Sequence, residues 1–145
     1  MNSATAKATA GQPYKLEVSA RGHVVVSDVP LKLGGKNTGM TPHEMFLGSI
    51  AACIVDTLWM YCVRHSWDLK GAISVTITET EVEHPSKPGQ KIPHFKEHVE
   101  VPDSLTQAQQ QRLLSLVPKC PVHKLFTGEK LTEATIAAVA PPATP

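Results

Sequence analysis

What this chain has little of limits what it can do. Aromatic residues are scarce, with three Phe, two Tyr and two Trp in 145 residues, so the core must rest on Leu, Val, Ile, Met and Ala. An excess of one charge is also missing. Fourteen Lys and Arg against thirteen Asp and Glu leave a formal charge of +1, which argues against a nucleic-acid partner. Cysteine is limited to Cys53, Cys62 and Cys120, too few and too widely spaced for a disulfide scaffold. An odd count leaves at least one thiol free in a monomer. The segment from Met1 to Gly11 has no apolar h-region of a secretory signal, so a reducing cytoplasm is the expected location. The seven histidines form no HExxH, and the cysteines form no Cys-x2-Cys pair. No metal and no cofactor are therefore expected. The Gly34–Gly39 loop lacks the Walker pattern, and no internal repeat is present.

What is there fits one domain. At 15.6 kDa the chain is read as a single unit over residues 12–140, with 1–11 and 141–145 as flexible tails. Alternation from Tyr14 to Arg21 predicts a strand, Gly22 a turn, and His23–Ser27 the returning strand. A glycine-containing loop then leads to Thr41-Pro42-His43-Glu44. This tetrad predicts a helix start: Thr41 caps, Pro42 fits the first turn and Glu44 completes a capping box. The run that follows, to about His65, is nearly all apolar. Its length raises a membrane span as an alternative, but Asp56 sits at its middle. A core helix wrapped by sheet is the preferred reading, with no membrane partner.

Further along, Ala72–Glu83 and Phe95–Val101 predict strands. Leu105–Val117 predicts a helix with Thr106 and Gln109 as its capping box, and Cys120–Phe126 a short helix closed by Gly128. Thr135–Ala140 is read as a last strand. The order implies an α+β fold with mainly antiparallel sheets around a long central helix. One small sheet cannot cover an entirely apolar helix, which points to a dimer.

Helix geometry limits what the cysteines can do. Cys53 and Cys62, nine residues apart, lie about 180° apart around one helix and about 13–14 Å apart along it, so they cannot bridge. Cys120 carries local signs of activation: Lys119 precedes it, and its place at a helix start favours a thiolate. Cys53, among apolar neighbours, would have its thiolate disfavoured unless a cation reached it. Arg21 is the candidate cation, and Glu44 could orient it across a subunit boundary. A simpler reading is also available for each: a capping Cys120, packing thiols at Cys53 and Cys62, and a solvated Arg21. A hydrolase using Cys120 and His123 is a further alternative.

The pattern as a whole resembles the OsmC/Ohr family of thiol-dependent hydroperoxide reductases. The matching pieces are Asp28-Val29-Pro30 with the Gly34-Gly35 loop, Gly39-Met40-Thr41-Pro42-His43-Glu44-Met45-Phe46-Leu47, Ala51-Ala52-Cys53, and Lys119-Cys120-Pro121-Val122-His123. Met40 departs from the family's usual proline. The resemblance implies an intertwined homodimer with sites at the subunit interface. It implies Cys53 as the peroxide-attacking cysteine, Cys120 as the resolving one, and Arg21 and Glu44 as their electrostatic support. Cys62 is left as a spare. It also implies an organic hydroperoxide as substrate and an external dithiol, such as a lipoylated protein, as reductant. The family thus assigns the attack to Cys53, whereas local context favours Cys120. A non-catalytic dimer holding an apolar ligand at its interface is the rival reading.

Overall fold

The computed structural model describes residues 2–8 and 11–137. Three strands open the chain: β1 (Thr5–Ala8), β2 (Leu16–Ala20) and β3 (His23–Ser27), antiparallel in that order. Arg21 and Gly22 both adopt positive φ, 52° and 83°, and Ala20 pairs with His23. This is the two-residue hairpin turn whose twist matches its strands. The expected fraying of the first eleven residues does not hold for Thr5–Ala8. Their backbone pairs with β2 from Thr5↔Ser19 to Ala8↔Leu16, so pairing on an open edge orders a segment that has no side chains to bury.

The central helix α1 (Pro42–Arg64) starts as expected. Thr41 Oγ1 accepts from Glu44 N, and Glu44 Oε2 accepts from Thr41 N at 2.7 Å. Ile50, Ile54, Leu58 and Cys62, spaced every four residues, form its buried stripe. Antiparallel strands β4 (Ser74–Glu83) and β5 (Lys91–Glu100) pack on it, joined by a loop closed by His84 N to Gln90 O at 2.7 Å. The core is completed by Ile73, Leu105, Leu113, Leu116, Val117 and Cys120.

α2 (Gln107–Leu114) begins at the Thr106–Gln109 capping box but stops before Val117. Pro118 supplies no N–H and restricts the residue before it, so the chain tightens into a 3-10 turn at Val117–Lys119. α3 (Pro121–Thr127) follows, capped by Gly128. Beyond it the expected last strand is not found in its described part, residues 135–137. The segment pairs with none of the described strands, and Leu131 and Ile136 stand fully exposed. Residues 138–140 of that strand, and the tail 141–145, lie outside the described residues.

An 18-residue stretch of α1 has a mean hydropathy of 1.7, and the helix is long and apolar enough to cross a bilayer by length and composition only. One face is nevertheless committed to β4, α3 and the 3-10 turn before α3. The opposite side presents Trp59, Met60 and Val63 to solvent in the single chain.

Candidate active site

Two helices bring their cysteines together. Cys53 sits half-buried on α1 beside Ile50 and Ile54, and Cys120 is the buried N-cap of α3. Both thiols are free, and the Cys53 side chain lies near enough to Cys120 to push its thiol up. Sixty-six residues of chain separate them, so the packing of α3 on α1 makes this pair. Cys62, on the buried stripe of the same helix, takes no part in it.

The local expectation for Cys120 is half right. Its sulfur does cap a helix, accepting from His123 N at 3.4 Å. Burial nevertheless pushes the Cys120 thiol up, and the neighbouring Cys53 side chain pushes the same way. The N–H groups of His123 and Val122 pull it down without offsetting burial. Cys120 is therefore not the activated thiol that its sequence context suggests. Burial pushes Cys62 up as well.

Glu44 is held below the usual carboxylate range, chiefly by the backbone N–H of Thr41 and then by its hydroxyl. Both bonds go to Oε2, at 2.7 and 3.0 Å, and Oε1 makes none among the described residues. Arg21 stands exposed at the tip of the β2–β3 hairpin, with no ion-pair partner among the described residues. The single chain does not bring it to Glu44 or Cys53. Its left-handed backbone is a conformation that costs a side-chain-bearing residue roughly 1–2 kcal/mol, and such strain concentrates at functional positions.

Sequence reasoning missed several supports. Asp28, noted in the sequence only as part of the family pattern, is buried and organises the loop before α1. It accepts from Val29 N, Lys36 N, Thr38 N and Thr38 Oγ1 at 2.8–3.1 Å. These bonds, Thr38's foremost, lower its pKa to about 2. Gly35 belongs to the same loop, where a Cβ would collide with the Val29 carbonyl. An aromatic cluster joins α1, β5 and α3. Phe126 meets Phe95 edge-on at 4.7 Å and Phe46 at 5.7 Å between centroids. Phe46 precedes Cys53 by seven residues, two turns, on one side of α1. Phe46, Val122, Leu125, Phe126 and Lys130 line an apolar cavity of about 420 Å³.

Two histidine–glutamate pairs flank this cluster. His43 on α1 pairs with Glu79 on β4, and His123 Nε2 lies 3.1 Å from Glu97 Oε1 on β5. The signal for them was present, since Glu79 and Glu97 share strand faces with Ile77 and with Phe95 and Val99. A charge on an apolar face needs a partner. The contact between His123 and the Cys120 sulfur comes from the backbone N–H, while the imidazole turns toward Glu97. A cysteine–histidine hydrolase would need a ring nitrogen at the sulfur.

Fold and site together define an α+β protein with a half-buried and a buried cysteine thiol at a helix–helix contact. The family model described as OsmC-like protein matches residues 35–134, and the chain belongs to that family. Solved structures agree in fold. The organic hydroperoxide resistance protein OhrB of Bacillus subtilis is similar at TM-score 0.60 and 18% identity, covering 88% of this chain and 91% of that one. An organic hydroperoxide resistance protein OsmC of Legionella pneumophila gives 0.61 and 19%, covering 88% and 90%. An OsmC-like protein of unknown function from Vibrio cholerae gives 0.63 at 8% identity, covering 89% and 95%. No curated protein matches the sequence significantly.

Proposed function

We propose that the protein is a thiol peroxidase that reduces organic hydroperoxides to alcohols. The observation that carries this reading is the proximity of Cys53 and Cys120 where α3 packs on α1, together with an apolar cavity lined by Phe46 of α1 and by Val122 and Phe126 of α3. The Cys53 thiolate attacks the distal oxygen of R–O–O–H, the O–O bond breaks, and the leaving alkoxide takes a proton to depart as alcohol. Arg21, presented by a second chain and oriented by Glu44, stabilises the developing charge. The Cys120 sulfur then displaces hydroxide from the Cys53 sulfenic acid, giving a disulfide and water. An external dithiol reduces the disulfide by exchange and is itself oxidised to a disulfide. The apolar lining favours an alkyl or lipid hydroperoxide over hydrogen peroxide. The working unit is a cytoplasmic homodimer that covers the exposed side of α1.

Intact-mass analysis after one equivalent of tert-butyl hydroperoxide tests the reading. The expected result is loss of two hydrogens, with peptide mapping to a Cys53–Cys120 disulfide and no reaction in Cys53→Ser. Persistent thiols would favour the non-catalytic dimer with an apolar ligand, which the same cavity also fits.

A further inference from the structure

We propose that Glu97 is a positioning residue for Cys120 and acts through His123; this rests on the peroxidase reading above. α3 has seven residues and buries none of them fully. A helix this short cannot hold its own first turn in place, so the position of its N-cap sulfur is set from outside. His123 is the link. Its backbone N–H donates to Cys120 Sγ at 3.4 Å, and its imidazole Nε2 lies 3.1 Å from Glu97 Oε1.

The two side chains of this pair are only 17% and 21% exposed. Phe126 reinforces the link, meeting the His123 ring edge-on at 6.4 Å and Phe95 at 4.7 Å, two residues before Glu97 on the same strand face. Glu97 sits opposite Ile77 in the β4–β5 register and half-buried between Phe95 and Val99. An apolar residue would fill that place without desolvating a charge. What the carboxylate adds is a fixed direction for the imidazole, and with it for the start of α3.

The step that needs this precision is resolution. The Cys120 sulfur must approach along the line of the Cys53 S–O bond. The S–S bond forms as the S–O bond breaks, and the Cys120 proton leaves with the hydroxyl as water. Peroxide attack on Cys53 uses the cavity that α3 helps to line but makes and breaks no bond at Cys120, so misplacing the Cys120 sulfur alone should separate the two steps.

The test is a single turnover of the full chain with one equivalent of tert-butyl hydroperoxide. Dimedone trapping reads the Cys53 sulfenic acid, and quenched mass analysis reads the disulfide. In Glu97→Ala the sulfenic acid should form at the unsubstituted rate, and the disulfide about ten- to a hundredfold more slowly. Glu97→Gln keeps an acceptor for the imidazole N–H and should restore most of the rate. His123→Phe fills the same space without the bond and should reproduce the selective slowing. Unchanged disulfide formation in Glu97→Ala, or equal slowing of both steps, would overturn the proposal alone. If the unsubstituted protein forms no Cys53 sulfenic acid, the peroxidase reading fails and the proposal falls with it.

Discussion

Thr38 closes a loop onto Asp28 with two hydrogen bonds to the same oxygen, its N–H at 3.0 Å and its hydroxyl at 2.8 Å from Oδ2. The loop they close runs directly into the Thr41 cap and so fixes where α1 begins.

This relationship gives a pH prediction. The folded Asp28 pKa is lowered to about 2 from an ordinary 3.8. A depressed carboxyl stabilises the fold above the unfolded pKa, and that stabilisation is lost as pH falls through the folded one. Tm should therefore drop between pH 4 and pH 2 in the unsubstituted protein. Asp28→Asn should lower Tm by several degrees at pH 7 and flatten that acid decline, which differential scanning calorimetry would show.

Arg21 separates stability from activity. Asn tolerates the left-handed conformation and is favoured before Gly in this turn. Arg21→Asn relieves the turn and should therefore keep Tm close to the unsubstituted value, even though the proposed contact with Glu44 of a second chain is lost. Hydroperoxide turnover should fall about 10²- to 10³-fold, the loss that removing one charge-stabilising group from an active site typically causes. Thermal shift and a peroxide-consumption assay check both halves.

The raised Cys120 thiol predicts how the second step depends on pH. The thiolate is the nucleophile, and burial keeps Cys120 protonated near neutrality. Disulfide formation should accelerate about tenfold per pH unit below the Cys120 pKa, a consequence of its thiolate fraction. Quenched-flow mass analysis between pH 6 and 9 measures this slope. Cys120→Ser should accumulate Cys53 sulfenic acid without completing the cycle.

The exposed side of α1 predicts assembly. Val63 is 63% exposed in the single chain. A charge there would be tolerated in a monomer and rejected in a covered interface. Val63→Glu should shift sedimentation from dimer to monomer mass and lower turnover in parallel.

Helix α1 was legible because its signals were local: the Thr41-Pro42-His43-Glu44 start and the long apolar run after it, although which stripe of that run is buried was not. The pairing of Cys53 with Cys120 was legible only through resemblance, since nothing in the intervening chain announces the contact. The charge state of Cys120 was misread because the helix-start signal is short-range and tertiary burial outweighs it. β1 was missed because strand pairing uses backbone groups, which small polar residues supply as well as apolar ones. The partners of Glu79 and Glu97 lie on other elements, so the apolar face signalled a need without naming what meets it. Arg21 was found as a residue and not as a contact, because its expected partners belong to a second chain.

The meeting of Cys53 and Cys120 also bears on the energetics of the whole domain. A bond between these sulfurs would cross-link α1 to α3 and enclose β4, β5 and α2 in one covalent loop. Restricting the unfolded chain over a loop of that size is worth about 4 kcal/mol in the chain-entropy account. The oxidised protein would then be the sturdier of its two forms. Any reductant would have to reverse a structural staple as well as a chemical product, and the melting temperature would record the redox state of the molecule.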